Sequence, residues 1–305
     1  MYKITFVNKN TSLLLTNTHL MRRLIITAFL AFHCFTSFAQ GAFEGKYLVY
    51  PIEENKYAFT DYQFNFKLKL GIWDKVERHG VGPFAVVWSN EKKYYLDTLG
   101  NAYLVSRKLE DKPSPDIQAL DLSGQKLDTF PMEVLKYPNL RVLHIRGYGT
   151  ALNKFVSLPN ELTQLKALRY LFLSYGRLSA LPNNIGQLQS LKYLDLRGNQ
   201  LTQLPESFGQ LKNLEKLDLA FSKLSKLPQN FGQLQKLVHL DLKSNQLSEL
   251  PDSFVQLQKL QELILYGNRL TQLPESVGQL QKLRQLKLEE NQLKRLPERI
   301  GQLQK

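Results

Sequence analysis

The sequence predicts an α/β solenoid with a parallel sheet on its concave face, preceded by a small β-rich unit. Three observations predict this fold. Leucines alternate with other residues over short stretches, which is typical of strands. Each stretch is followed by a turn and a proline. The whole unit recurs every 23 residues, starting at Leu168, Leu191, Leu214, Leu237, Leu260 and Leu283. A fixed period of this length indicates stacked units that bury their leucines against one another.

The repeated pattern is LxxLxLxxNxLxxLPxxxGQLxx, and two earlier segments fit it. One starts at Ile117, and another starts at Leu140 and runs for 28 residues, with five extra residues between Tyr148 and Leu158. We therefore predict eight repeats over residues 117–305. The pattern resembles the leucine-rich repeat family in its 23-residue form, of the bacterial exported type. That resemblance implies a right-handed arc and a binding role rather than catalysis.

Each part of the repeat has a physical reason. In the fourth repeat, Leu191, Leu194 and Leu196 point inward from a short strand, and the residues between them point outward. A buried asparagine then satisfies backbone groups of the neighbouring turn. The leucine–proline step ends the extended segment, and the remainder returns along the convex side. The asparagines are Asn199, Asn245, Asn268 and Asn291, and the repeats without one carry Gln125, Tyr148, Gly176 or Ser222.

The extra residues around Tyr148–Val156 have two interpretations. They form either a tolerated loop or a binding loop, because insertions in solenoids decorate one face and that face is often functional.

Residues 1–40 have the pattern of a secretory signal peptide. A basic start at Met21-Arg22-Arg23 precedes an apolar run over residues 24–32, and small residues precede a cleavage site before Gln40. Met21 is the predicted start of translation. We therefore expect export to the periplasm, the cell surface or the medium. The single cysteine, Cys34, is removed with this segment, so the mature chain forms no disulfide.

Residues 41–112 form a predicted β-rich domain, joined to the repeats by a linker at residues 113–116. The predicted strands are Lys46–Pro51, Ala85–Trp88, Lys93–Asp97 and Ala102–Ser106. This domain either caps the first repeat or binds a ligand of its own, and the capping role is favoured. No C-terminal cap is expected, because the eighth repeat ends at Lys305. The open edge therefore associates with a partner, or the chain is the substrate-recognition part of a larger enzyme.

The excess of basic residues lies in the repeats and does not by itself indicate a particular ligand or reaction. Residues 117–305 carry 25 basic and 16 acidic side chains, whereas residues 41–116 carry 11 of each. The basic residues are scattered, which favours a solvated surface over nucleic-acid binding. No apolar run is long enough for a membrane span. We find no phosphate loop, zinc motif or nucleophile motif, and we expect no cofactor, no metal and no enzymatic activity.

Recognition on the concave face remains as the predicted function. Aspartates at one slot of three successive repeats favour a surface column over a metal site. Aromatic residues with an arginine on neighbouring repeats favour an interface anchor. The predicted ligand is a protein or peptide, and the alternative is an anionic surface polysaccharide. The predicted ligand-binding residues are Tyr170, Phe172, Tyr175, Tyr193, Asp195, Arg197, Asp218, His239, Asp241, Lys243 and Tyr266.

Overall fold

A computed structural model describes residues 48–53, 56–60, 71, 73–77, 81 and 83–302. The chain divides into two compact units, residues 1–102 and 103–305. The predicted signal peptide at residues 1–40 lies outside the described residues. Within the described part, no helix is long and apolar enough to cross a membrane.

The first unit contains short antiparallel strands, as expected. Its strands are β1 (Leu48–Glu53), β2 (Lys56–Thr60), β3 (Lys75–Val76), β4 (Ala85–Ser89) and β5 (Lys92–Leu96). Strand β1 pairs with β2, and β4 pairs with both β3 and β5, all antiparallel. Its apolar centre is formed by Phe59, Ala85, Val87 and Leu96. Alternating Val and Ala residues on β4 therefore build a core on one face of this small sheet.

In the second unit, one parallel sheet runs through all eight repeats. Its strands are β6 (Ala102–Ser106), β7 (Ala119–Asp121), β8 (Val142–His144), β9 (Tyr170–Phe172), β10 (Tyr193–Asp195), β11 (Lys216–Asp218), β12 (His239–Asp241), β13 (Glu262–Ile264) and β14 (Gln285–Lys287). Equivalent residues of neighbouring repeats pair in register, for example Leu194 with Leu217. The predicted solenoid is confirmed.

Strand β6 precedes the first repeat and pairs with it. Val105 lies opposite Ala119 and Ser106 opposite Leu120 in the parallel ladder. The backbone edge of the first repeat is therefore covered by a segment from outside the repeat pattern. The compact units divide at Ala102, before the linker expected at residues 113–116. Capping by the whole 41–112 domain stays a prediction.

The convex side consists of short 3-10 helices. They span Met132–Lys136, Asn160–Gln164, Ile185–Gln187, Glu206–Gln210, Phe231–Gln233, Asp252–Gln256, Glu275–Gln279 and Glu298–Gln302. A proline such as Pro205 occupies the residue before several of them, with its φ near −69° in an extended conformation. Behind them, Phe208, Phe231 and Phe254 stack with ring centroids 6.2 and 6.0 Å apart. These rings continue the leucine core to the convex side.

The asparagine ladder forms as predicted. In each case the side-chain Nδ2 donates to the carbonyl oxygens of two leucines, one in its own repeat and one in the preceding repeat, and Oδ1 accepts an N–H from the preceding repeat. For Asn199 these partners are the carbonyl oxygens of Leu173 and Leu196, at 2.9 and 2.8 Å, and the amide of Leu178, at 3.1 Å. Asn245, Asn268 and Asn291 repeat the arrangement.

The second repeat also has its ladder asparagine, and the expectation that Tyr148 takes this slot is wrong. Asn153 is buried and donates from Nδ2 to the carbonyl oxygen of Ile145 at 2.8 Å. Its Oδ1 accepts the N–H of Leu127 at 3.1 Å. Phe155 then fills the leucine slot that follows. The extra residues are therefore 148–152, which lie before the asparagine and form a tight turn in which Tyr148 and Ala151 exchange backbone hydrogen bonds of 3.1 and 2.6 Å.

The eighth repeat has the same plan with a more exposed core. Leu286, Leu288, Leu293 and Ile300 are only partly buried, although they pack against the leucine core. In the seventh repeat the equivalent side chains are fully buried. Burial in this solenoid therefore depends on a neighbour on each side, as nearest-neighbour stacking requires.

Candidate functional site

The outward side chains of β7–β14 form the concave face, and the predicted binding residues lie on it or at its edge. Tyr170 pairs in register with Tyr193, so the two rings lie on adjacent strands of the same face. Both are half-buried, as are Tyr175, Arg197, His239, Asp241, Lys243 and Tyr266. The placement of these side chains on one surface follows from the alternation of the strands.

One predicted anchor is not exposed. Phe172 lies in an outward slot, but only 3% of its surface is accessible. Its ring centroid is 5.2 Å from that of His144 and 5.0 Å from that of Tyr193, on the two flanking strands. Neighbouring strands are close enough for large side chains to cover each other. The expectation that Phe172 presents an exposed ring is therefore wrong, and Tyr170 and Tyr193 form the accessible part of this cluster.

The aspartate column has a structural use. Asp195, Asp218 and Asp241 lie in register on β10, β11 and β12. The Oδ1 of each accepts the backbone N–H two residues later, at 3.0, 3.0 and 2.9 Å. These carboxylates therefore fix the chain as it leaves each strand. Within the described residues, no group of three or more His, Cys, Asp or Glu side chains is placed to hold a metal ion.

Packing these carboxylates together changes their ionisation. Burial, together with the negative charge of Asp218, raises the pKa of Asp195. Burial also raises the pKa of Asp241. Arg197 crosses to the next repeat, where its Nε donates to Asp218 at 2.9 Å and its Nη2 also pairs with the same carboxylate. Burial disfavours the guanidinium charge, but the hydrogen bond to Asp218 and the negative charges of Asp218 and Asp195 together outweigh it and raise the pKa of Arg197.

A second set of functional candidates lies where the strands turn into the loops. The residue before the ladder position has a left-handed backbone in seven of the eight repeats. This residue is glycine in three repeats, and the φ values of the others lie between 52° and 56°. The seven residues are Gly124, Tyr175, Gly198, Phe221, Ser244, Gly267 and Glu290. A side chain in this conformation is uncommon, and for a bulky residue it is an outlier. Tyr175 and Phe221 therefore hold aromatic rings at a strained position.

Each of these two rings forms one side of a sandwich, in which a cationic side chain lies between two aromatic rings. The Cζ atom of Arg146 lies 5.0 Å from the ring centroid of Tyr148 and 5.0 Å from that of Tyr175. The Nζ atom of Lys243 lies 5.3 Å from the centroid of Phe221 and 4.9 Å from that of Tyr266. We call this set the edge strip, formed by Arg146, Tyr148, Tyr175, Phe221, Lys243 and Tyr266. A cation within about 6 Å of a ring centroid is attracted to the ring face.

The edge strip is accessible to a partner. Tyr148 is 46% exposed and Phe221 is 47% exposed, which is unusual for large side chains with apolar rings. A hydrogen bond with Glu290 raises the pKa of Tyr266, so its hydroxyl stays protonated and points to the eighth repeat. The strip therefore offers ring faces and cations together.

Sequence reasoning found only part of this surface. It identified Tyr175, Lys243 and Tyr266, but it missed Arg146, Tyr148 and Phe221 as contributors to one strip. A signal was present: the seventh position of the repeat is Arg146, Arg197 and Lys243 in the second, fourth and sixth repeats. The aromatic rings of the strip come from the third, fifth and seventh repeats and from the insertion. Which ring lies against which cation therefore depends on the register between neighbouring strands.

Comparisons with known proteins agree with the repeat assignment. Residues 117–222 match a family model described as a leucine-rich repeat region, and residues 212–270 match one described as a leucine rich repeat. No curated protein matches the chain.

Several solved structures resemble the repeats. A leucine-rich repeat protein of Leptospira interrogans is 39% identical, with a TM-score of 0.58 over 62% of this chain and 47% of that one. A TDR receptor is 26% identical, with a TM-score of 0.51 over 62% of this chain and 37% of that one. The ectodomain of the receptor kinase GASSHO1/SCHENGEN3 from Arabidopsis thaliana, in complex with Casparian strip integrity factor 2, is 28% identical, with a TM-score of 0.49 over 66% of this chain and 27% of that one.

This chain spans less than half the length of each of these structures. The in-phase leucines, the asparagine ladder, the parallel sheet and the matched family models all point to one assignment. The chain belongs to the leucine-rich repeat family.

Proposed function

We propose that this protein is an exported, non-catalytic module that binds a protein or peptide on the concave face of its repeats. The observation that carries the proposal is the pair of half-exposed rings of Tyr170 and Tyr193, in register on adjacent strands, with Arg197 on the same face four residues after Tyr193. Aromatic and arginine side chains on a pre-formed surface are typical anchors of protein interfaces. Solenoids offer such extended surfaces because each repeat adds one strand.

The chemistry of the face supports binding rather than catalysis. The aspartates in register have their Oδ1 atoms engaged with backbone N–H groups. His239 lies 2.9 Å from the Oε2 of Glu262, so its imidazole is part of a pair between neighbouring repeats. These polar groups hold the face in shape, and a rigid face lowers the entropy cost of association.

Binding can be tested with paired variants of the full chain. Tyr170→Ala with Tyr193→Ala should weaken capture of a partner from the cell-envelope fraction by about 30-fold, which corresponds to about 2 kcal/mol. The matched control is Met132→Ala with Leu296→Ala, which removes exposed apolar side chains away from the sheet. Equal capture by both double variants would move the site off this cluster, and the insertion at residues 148–152 would be examined next.

Export forms a separate part of the proposal. The pattern of residues 1–40 is that of a cleaved leader, so the mature chain should begin at or near Gln40. Mass spectrometry of the protein purified from its source measures this directly. Intact residues 1–40 on cytoplasmic protein would refute the export proposal without affecting the binding proposal.

A further inference from the structure

The edge strip holds two cations that lack anionic partners. Among the described residues, neither Arg146 nor Lys243 has a carboxylate within ion-pair distance. The Nε of Arg146 is also buried without a hydrogen-bond partner. Arg197, in contrast, is paired with Asp218. A cation held between two rings is oriented but not neutralised, so both sandwiches keep a free positive charge for an anion.

The spacing of these charges is set by the repeat. Arg146 and Lys243 occupy the same position in the second and sixth repeats, four repeats apart. With about 4.8 Å between parallel strands, this separation is about 19 Å. An extended peptide rises about 3.3 Å per residue, so six residues span about 20 Å. Residues i and i+6 of such a peptide also point to the same side.

The middle of the strip fits the same peptide. Arg197 lies halfway between the two free cations and is already neutralised by Asp218. Opposite Arg197, residue i+3 of the peptide would point away from the strip. The peptide therefore needs no carboxylate at this position. The rings of Tyr175 and Phe221 lie between the ends. Phe221 keeps an exposed phenyl ring there.

We propose that the edge strip binds an extended acidic peptide segment. Two carboxylates six residues apart reach Arg146 and Lys243, and apolar side chains between them contact Tyr175 and Phe221. The segment runs across the strands, along the line where they turn into the loops. This inference rests on the proposed function, since it names the chemistry of the peptide and adds the edge strip to the concave face.

The test uses the full chain and two labelled heptapeptides of equal composition. One has Glu at positions 1 and 7, Leu at positions 3 and 5, and Ser elsewhere. The other moves the second Glu to position 4 and places Ser at position 7. Fluorescence anisotropy should show at least tenfold tighter binding of the first peptide. Equal affinities would overturn the proposal, because the charge spacing is its central claim.

Variants separate this site from general charge attraction. Arg146→Gln and Lys243→Gln should each weaken binding of the first peptide at least tenfold. Lys259→Gln is the control: it removes one positive charge from an exposed residue outside the strip, just before β13, and should change affinity less than twofold. Arg146→Lys and Lys243→Arg keep the charge and should retain most of the affinity, which controls for damage to the sandwiches. Equal losses for Lys259→Gln and the strip variants would overturn the proposal.

A polyuronate such as polygalacturonate is the competing probe. If it binds more tightly than the first peptide and depends on the same two cations, the strip recognises an anionic polysaccharide and the peptide proposal is overturned. If partner capture depends on Tyr170 and Tyr193 while the peptides show no preference, this inference is overturned and the proposed function stands. If the first peptide binds more tightly but partner capture does not depend on Tyr170 and Tyr193, the assignment of the binding site to these two tyrosines is overturned instead.

Discussion

Asn153 donates a hydrogen bond to the carbonyl oxygen of Ile145, eight residues earlier, at 2.8 Å. The other ladder asparagines reach a carbonyl only three residues earlier, such as Leu196 from Asn199. The difference of five residues is the length of the insertion. The ladder is therefore continuous across the second repeat, and residues 148–152 project from it without changing the register that follows.

Deleting residues 148–152 should leave the fold intact. Gly147 would then occupy the position before the ladder asparagine, where a glycine readily adopts the required left-handed backbone. We expect the free energy of unfolding to change by less than about 1 kcal/mol, because shortening a loop has a small entropic effect. Asn153→Ala should cost about 2 kcal/mol or more, since the N–H of Leu127 and the carbonyl of Ile145 lose their partner. Urea denaturation measures both changes, and a deletion as damaging as Asn153→Ala would contradict this alignment of the insertion.

The assignment of inward and outward positions in the repeat predicts very different losses of unfolding free energy for alanine substitutions at nearby positions of the fifth repeat. Leu219 is fully buried in the core, so Leu219→Ala should cost about 2–5 kcal/mol. Lys223 is exposed on the turn, so Lys223→Ala should cost less than about 0.5 kcal/mol. Thermal and chemical denaturation of the two variants provide the comparison. Similar costs at the two positions would be inconsistent with the assigned phase.

The ladder can be completed at Ser222. Its Oγ is buried without a partner, and it occupies the slot that asparagine fills in the sixth repeat. Ser222→Asn should stabilise the chain by about 1 kcal/mol, because the amide can satisfy backbone groups on both sides. Gly176→Asn is the matched comparison. A Cβ at Gly176 would lie 3.0 Å from the Oδ1 of Asn199, so no gain is expected there. Equal midpoints for wild type and Ser222→Asn would refute the prediction.

The raised pKa of Asp195 has a consequence for stability. Its folded-state pKa exceeds its unfolded value, so the folded chain holds the proton more tightly. Stability contributed by the protonated form is present below about pH 3.8 and is lost as pH rises through the folded pKa.

Asp195→Asn keeps the oxygen that accepts the N–H of Arg197 and removes the charge. It should therefore stabilise the chain by about 1 kcal/mol at pH 7 and have little effect at pH 3. Asp116→Asn removes an exposed charge and is the control. Unfolding free energies of the three proteins at both pH values provide the test, and a gain at pH 3 equal to that at pH 7 would contradict the assigned cause.

Features that recur in every copy of the repeat could be predicted from the sequence, and features that depend on which side chains differ between neighbouring copies could not. The burial of Leu194 and the hydrogen bonds of Asn199 follow from their places in the pattern. The burial of Phe172 depends on which side chains flank it, His144 and Tyr193, and one strand does not reveal this. The ring sandwich of Arg146 also joins an insertion to the next repeat, so it depends on three-dimensional register.

The break in the ladder at Ser222 also affects how the array opens. The N–H groups of Leu224, Leu247 and Leu270 each donate to an asparagine of the following repeat. After the fourth repeat, the corresponding slot holds Ser222, whose buried Oγ has no hydrogen-bond partner. Native proteins open in contiguous cooperative segments, which hydrogen exchange detects. The fifth to eighth repeats should therefore exchange as one segment, with a weaker junction to the fourth. Mechanical or thermal stress would separate the solenoid at this junction, or at the equivalent break at Gly176, before it melted the fifth to eighth repeats.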